Sequence, residues 1–146
     1  MKKLDANPLP ERLQLSIGGH FGTSYSVCLE GGALTYKWSK PVQDFPPKWD
    51  SRSEQIQPSD ERWQAFRSAL NRINVWRWQA EYFEPVCDGT GWSAEIVYSD
   101  KAVHSHGSNC FPEETGKPVS IVGRAKGDAF DRFCRAVSSL LGRHFK

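Results

Sequence analysis

The residues best suited to chemistry lie close together at His104-Ser105-His106-Gly107-Ser108-Asn109-Cys110. On a strand, His104 and His106 project to the same face, because successive side chains alternate. Two imidazoles at that spacing suit a shared metal ion, with Cys110, His20, Asp88 or Glu95 as further candidate ligands. No second ligand pair at a known spacing accompanies them, and a strand end carrying two surface histidines explains the pattern as well. Cys110 beside a histidine is also the raw material of a thiolate nucleophile, with the amides of Gly107, Ser108 and Asn109 as candidate oxyanion donors. That reading requires a geometry that adjacency in sequence does not guarantee.

Other motifs are sparser. The glycines at 18, 19 and 22, and at 89 and 91, lack the GK[ST] ending and the strand–loop–helix setting of a phosphate loop, and read as turns. No GxSxG, HExxH or EF-hand pattern occurs, and nothing calls for a cofactor. The cysteines Cys28, Cys87, Cys110 and Cys134 are spaced by 59, 23 and 24 residues with no CxxC, so they read as thiols in a reducing cytoplasm. Arg132, Arg135 and Arg143, with Ser139, fall on the polar arc of a C-terminal helix. They form either a solvated face or a basic stripe for phosphates or an acidic partner. Arg62, Arg72 and their neighbours Arg67 and Arg77 recur every five residues and so spiral around their helix.

The elements that would position these groups follow from periodicity. Leu13, Leu15 and Ile17 alternate, as do Tyr25, Val27 and Leu29, then Leu34, Tyr36 and Trp38, predicting a three-stranded meander with one apolar and one small, polar face. Gly31-Gly32 suits the tight hairpin within it. Residues 40–57 contain Pro41, Pro46 and Pro47 and read as a linker. Ser59 or Asp60 caps a helix whose face is Trp63, Phe66, Ala69, Leu70 and Ile73, and Asn74 ends it. Trp76, Trp78, Ala80 and Tyr82 recur every second residue as a fourth strand, followed by strands through Trp92–Tyr98 and Ala102–His106. Val119, Ile121 and Val122 suggest a short strand; Asp128 opens and Gly142 closes a second helix with Phe130, Phe133, Val137 and Leu140 on its apolar face.

The helix faces superpose at an offset of 67 residues and the hairpins at 69. The expected fold is therefore α+β: an antiparallel sheet of about six strands with two helices on one face, in one domain over 1–146. The offsets point to a pseudo-twofold (βββα)2 duplication with halves 13–73 and 75–143.

The segment Asp88-Gly89-Thr90-Gly91-Trp92, followed by Gly107-Ser108-Asn109-Cys110-Phe111-Pro112, resembles a pattern in a group of small bacterial proteins. In that group a DG-x2-W strand precedes a GSN-x-[FY]P turn and a Phe-rich helix. The resemblance spans residues 74–145 and implies a bacterial intracellular domain; it implies no catalytic residue.

At 146 residues the chain suffices for one domain. Its 19 basic and 17 acidic residues leave +2, too small a footprint for nucleic acid, and no apolar run is long enough to cross a bilayer. The oddity is 6 Trp, 8 Phe and 4 Tyr: most should be core, because a sheet covered by two helices needs large side chains, and some would be exposed if the other sheet face is uncovered. The leading expectation is a non-enzymatic, cytoplasmic module that binds another protein, in the manner of an immunity or inhibitor protein. Its expected surface comprises Trp76, Trp78, Trp92, Ser108, Asn109, Phe111, Arg132 and Arg135. The alternatives are a small enzyme or metal protein centred on His104, His106 and Cys110, and a weak nucleic-acid binder using the arginine stripe.

Overall fold

A computed structural model describes residues 8–19, 23–42, 48–83, 90–112, 118–120 and 129–145. The alternating apolar residues form strands as expected. β1 (Arg12–Gly19), β2 (Ser24–Glu30) and β3 (Ala33–Val42) make an antiparallel meander. Gly31 and Gly32 sit at φ 59° and 84°, the paired positive angles that let a two-residue turn follow the twist of its strands.

The meander continues into β4 (Lys48–Ile56), where a linker was expected. Pro41 is tolerated because β2 ends its pairing at Ser39, so the missing N–H interrupts no ladder on that side. Helix α1 (Asp60–Ile73) starts at Ser59, whose hydroxyl accepts from the Arg62 amide, and ends at Asn74 with φ 62°. Residues Val75–Arg77 then form a 3₁₀ turn rather than the start of a strand, and β5 covers only Glu81–Phe83. β6 (Thr90–Val97) and β7 (Ala102–Ser108) form a hairpin. A separate short ribbon pairs β8 (Cys110–Pro112) with β9 (Pro118–Ser120), and α2 (Ala129–Leu141) follows, stopped by Gly142 at φ 68°. The expected cap Asp128, and Ile121 and Val122 of the expected strand, lie outside the described residues.

The result is α+β: a mixed seven-stranded sheet in the order β4-β3-β2-β1-β6-β7-β5, with β5 parallel to β7 and all other pairs antiparallel. The two halves are therefore not built alike. Four strands precede α1, and β5 joins the far edge in parallel; what the halves share is a hairpin followed by a helix.

Both helices cover the same sheet face. Trp63, Phe66, Leu70 and Ile73 of α1, and Phe130, Phe133, Val137 and Leu140 of α2, meet Leu13, Leu15, Val27, Leu34 and Ile96 in one continuous core. Its centre is aromatic. Trp92 lies 4.9 Å from Phe130 and 5.8 Å from Trp78, ring centre to ring centre, and Trp78 lies 5.2 Å from Phe133. Each such pair adds roughly 0.5–1.5 kcal/mol beyond its buried area. Beyond α2, Phe145 is buried against Tyr25, and the Tyr36 hydroxyl donates to the His144 carbonyl at 2.7 Å. No helix among the described residues is long and apolar enough to cross a membrane.

Candidate functional site

The helices leave the other sheet face uncovered, and period-two alternation decides what it carries. On β7 the burial alternates strictly: Val103, Ser105 and Gly107 turn to the core, His104 and His106 to solvent. Registers then align the outward positions into rows. One row runs Glu81–His106–Ser93–Ser16–Ser26–Lys37–Ser53 across all seven strands. Beside it run Phe83–Ser108–Gly91–Gly18 and Ser24–Ser39–Ser51. On the other flank lie His104, Glu95, Gln14, Cys28, Thr35 and Gln55.

The β1–β4 half of this face is a trough of about 700 Å³. The outward positions lining it are Ser16, Gly18, Ser24, Ser26, Lys37, Ser39, Ser51 and Ser53. Short side chains keep its floor low: a methyl group on Gly18 would stand 2.3 Å from the Ser24 hydroxyl. The hydroxyls pair across strands, Ser16 with Ser93 at 2.7 Å and Ser39 with Ser51 at 3.0 Å. Each hydroxyl retains spare acceptor capacity for an incoming group. Two basic residues, Lys37 and Arg52, line the trough, and a second hollow of about 410 Å³ adjoins it at Gln14, Ser93, Glu95, His104 and His106. There the His104 ring bonds Glu95 at 3.1 Å through Nδ1, and Arg12 holds the other Glu95 oxygen at 2.9 Å. At the sheet edge stands Phe83, 68% exposed, the one large exposed hydrophobic among the described residues.

Several expected site residues are placed elsewhere. His104 and His106 do share a face, but Cys110 is buried on the opposite side of the sheet, its carbonyl accepting from the Trp92 indole at 2.9 Å. The sheet itself separates thiol from imidazoles, so they form no joint nucleophile. Among the described residues no group of three or more His, Cys, Asp or Glu side chains is placed to hold a metal. His20 and Asp88 lie outside those residues. Trp78, Trp92 and Phe111 are core residues: strand parity turns Trp92 under the helices, Trp78 packs on Phe133 from the end of the 3₁₀ turn, and Phe111 packs on Phe130 from β8; the expected exposed aromatic surface is not formed by them. Asn109 is also buried, at φ 59°, and shapes the turn into β8. Trp76 is half-buried, with the Arg67 guanidinium 5.3 Å from its ring centre. Ser108 alone of that group reaches the free face.

The arginine stripe is broken up as well. Arg143 leaves it to bind Glu54 through both carboxylate oxygens at 3.0 and 2.6 Å, which holds that carboxyl below its usual range. Arg132 and Arg135 instead face Arg62 and Arg72 of α1 along one groove. Sequence reasoning missed the trough and Phe83. The trough's signal was the serine at every second position of β2 and β4, which types as an ordinary polar face until the strands are aligned.

The fold and this face together define a two-layer α+β domain in which, among the described residues, one sheet face is covered and the other is not. No family model matches the chain, and no curated protein is significantly similar to it.

Proposed function

We propose that the protein is a binding module that engages a partner protein through the free sheet face, with Phe83 as the apolar anchor and the serine-lined trough as the receiving surface. The observation that carries this reading is the pairing of a wide, low-relief hydroxyl face with Phe83 at its edge, the one large exposed hydrophobic among the described residues. Seven strands at ~4.8 Å spacing give a face about 29 Å wide and roughly 20 Å long. That is on the order of 600 Å², close to the ~800 Å² each partner contributes to a standard interface and larger than a small ligand covers. Short hydroxyl side chains lose little rotamer entropy on contact and bond to either donors or acceptors. An exposed aromatic bordered by polar groups has the make-up of an interface hot spot. An inhibitor- or immunity-type role in a bacterial cytoplasm fits this reading.

A photoreactive amino acid at position 26 tests it in cells of the native host. The expected result is a discrete protein adduct from position 26, absent when the probe stands at position 135 on the helix layer and lost with Phe83→Ala. An adduct pattern shared by both positions, or none from position 26, refutes it.

A further inference from the structure

The two edges of the seven-stranded sheet are built differently. β5 closes one edge with three residues, too few to offer much backbone to another strand. β4 closes the other with nine, paired with β3 without interruption from Val42↔Lys48 to Leu34↔Ile56, and it contains neither a bulge nor a proline. Among the described residues no strand pairs with its outer side. Alternate residues of a strand turn their N–H and C=O groups to opposite neighbours, so about half of the β4 backbone groups face outward.

Charge commonly guards such an edge, because like charges meet when two strands approach. On β4 the signs alternate instead. Asp50, Arg52 and Glu54 share one face of the strand, and Ser51 and Ser53 the other. Two copies related by a twofold axis at Ser51 run antiparallel, and Asp50 of each then stands opposite Arg52 of the other. Neighbouring registers lack this match. An axis at Asp50 sets that carboxylate against itself, and one at Arg52 sets guanidinium against guanidinium. An axis at Ser53 sets Arg52 against Glu54, whose two oxygens Arg143 already holds. Arg52 is mostly exposed and lies 3.6 Å from Asp50 of its own strand, beyond hydrogen-bond range, so both groups keep capacity for a bond across the axis.

We propose that this edge takes a second copy of the chain: β4 pairs antiparallel with β4 about Ser51 and joins the two sheets into one. The helix layers of both copies then lie on the same side. The two serine-lined troughs, which reach β4 at Ser51 and Ser53, adjoin across the axis. The pairing does not rest on the free-face reading, and it leaves Phe83, at the opposite edge, uncovered.

Sedimentation equilibrium tests it. The parent should dimerise in a saturable manner below about 1 mM, the range of weak but specific pairing. Asp50→Arg alone and Arg52→Asp alone each place two like-charged pairs across the axis and should weaken self-association at least about tenfold. Mixed in equal amounts, the two variants oppose unlike charges at both contacts and should recover a dimer of parental affinity, which misfolded chains cannot do. Under mild oxidation Ser51→Cys should cross-link between copies far more than the parent, since its Cα atoms lie ~5 Å apart across the axis. Ser53→Cys, offset by about four residues or ~14 Å, should not. A parent that stays monomeric at about 1 mM, as expected if the edge receives a strand of another protein, overturns the proposal. So does a dimer that both charge variants leave intact, a mixture no better associated than its components, or cross-linking at position 53 rather than 51.

Discussion

Replacing Gly107 with alanine tests how tightly the sheet and the β8 turn are locked together. Gly107 faces the core on β7, directly opposite Trp92 on β6. A methyl group there would stand 2.4 Å from the Trp92 indole nitrogen and 2.7 Å from the Cys110 carbonyl oxygen. The first is a packed ring and the second is backbone, so neither yields cheaply. Overpacking of this kind costs about 1–3 kcal/mol. Moving the indole also endangers its buried hydrogen bond to Cys110, and an orphaned buried donor costs a further ~1–3 kcal/mol. Against this, alanine restricts the unfolded chain and returns about 0.4–1 kcal/mol. The net expectation is a loss of about 3 kcal/mol, or a fall in melting temperature of roughly 6–12 °C for a chain this size. Gly91 on the neighbouring strand is the control. A methyl group there meets nothing nearer than 3.9 Å, so Gly91→Ala should be neutral or stabilise by up to ~1 kcal/mol. Urea denaturation with near-ultraviolet circular dichroism reads both. If Gly107→Ala falls within about 0.5 kcal/mol of the parent, the ordinary scatter of surface changes, or if the two variants lose equally, the packing argument is wrong.

Arg67 donates to both Asp100 oxygens at 3.1 and 2.8 Å and stacks 4.4 Å from the Tyr98 ring centre, so Arg67→Ala should cost about 1–2 kcal/mol in urea denaturation. Hydrogen bonds from Arg67 and Arg143 hold the Asp100 and Glu54 carboxyls below their ordinary range. Their folded values are thus lower than their unfolded ones, so their contribution is present above the unfolded carboxylate value and lost as pH falls through the folded one. Unfolding midpoints should therefore drop below about pH 4, and less so in Arg67→Ala and Arg143→Ala. The Tyr98 hydroxyl is buried with no hydrogen-bond partner among the described residues, so Tyr98→Phe should leave stability unchanged or raise it by up to ~1 kcal/mol. Burial also pushes the Tyr98 pKa well up, so the parent should lose stability as pH rises above about 10, and Tyr98→Phe should lose less.

The parts of the fold legible in the sequence were those specified by neighbouring residues. Ser59, Asn74, Gly31-Gly32 and Gly142 each mark an element end through their own side-chain or backbone chemistry, and each does so in the structure. β4 was hidden because its signal competes with three prolines, and only the end of β2 explains why Pro41 is harmless. Trp76 and Trp78 mimicked a strand by their spacing alone; the 3₁₀ turn instead buries Val75 and Trp78, three residues apart, and leaves Trp76 half-buried. The candidate site was least legible. A serine carries no signal of its own, and Ser16, Ser26, Ser53 and Ser93 become one surface only through pairings distant in sequence. The same holds for the groove, where arginines that spiral on one helix meet those of another.

The position of β1 has a consequence for synthesis on the ribosome. β1 lies at the middle of the finished sheet, between β2 and β6. The meander and α1 can assemble early, yet the flank of β1 that receives β6 stays bare until Val97 has emerged, 78 residues after Gly19. At ~5–20 residues per second, that is about 4–16 s during which an unpaired strand carrying Leu13, Leu15 and Ile17 is open to other chains. The newly made chain is thus most exposed to mispairing at what becomes its best-protected strand.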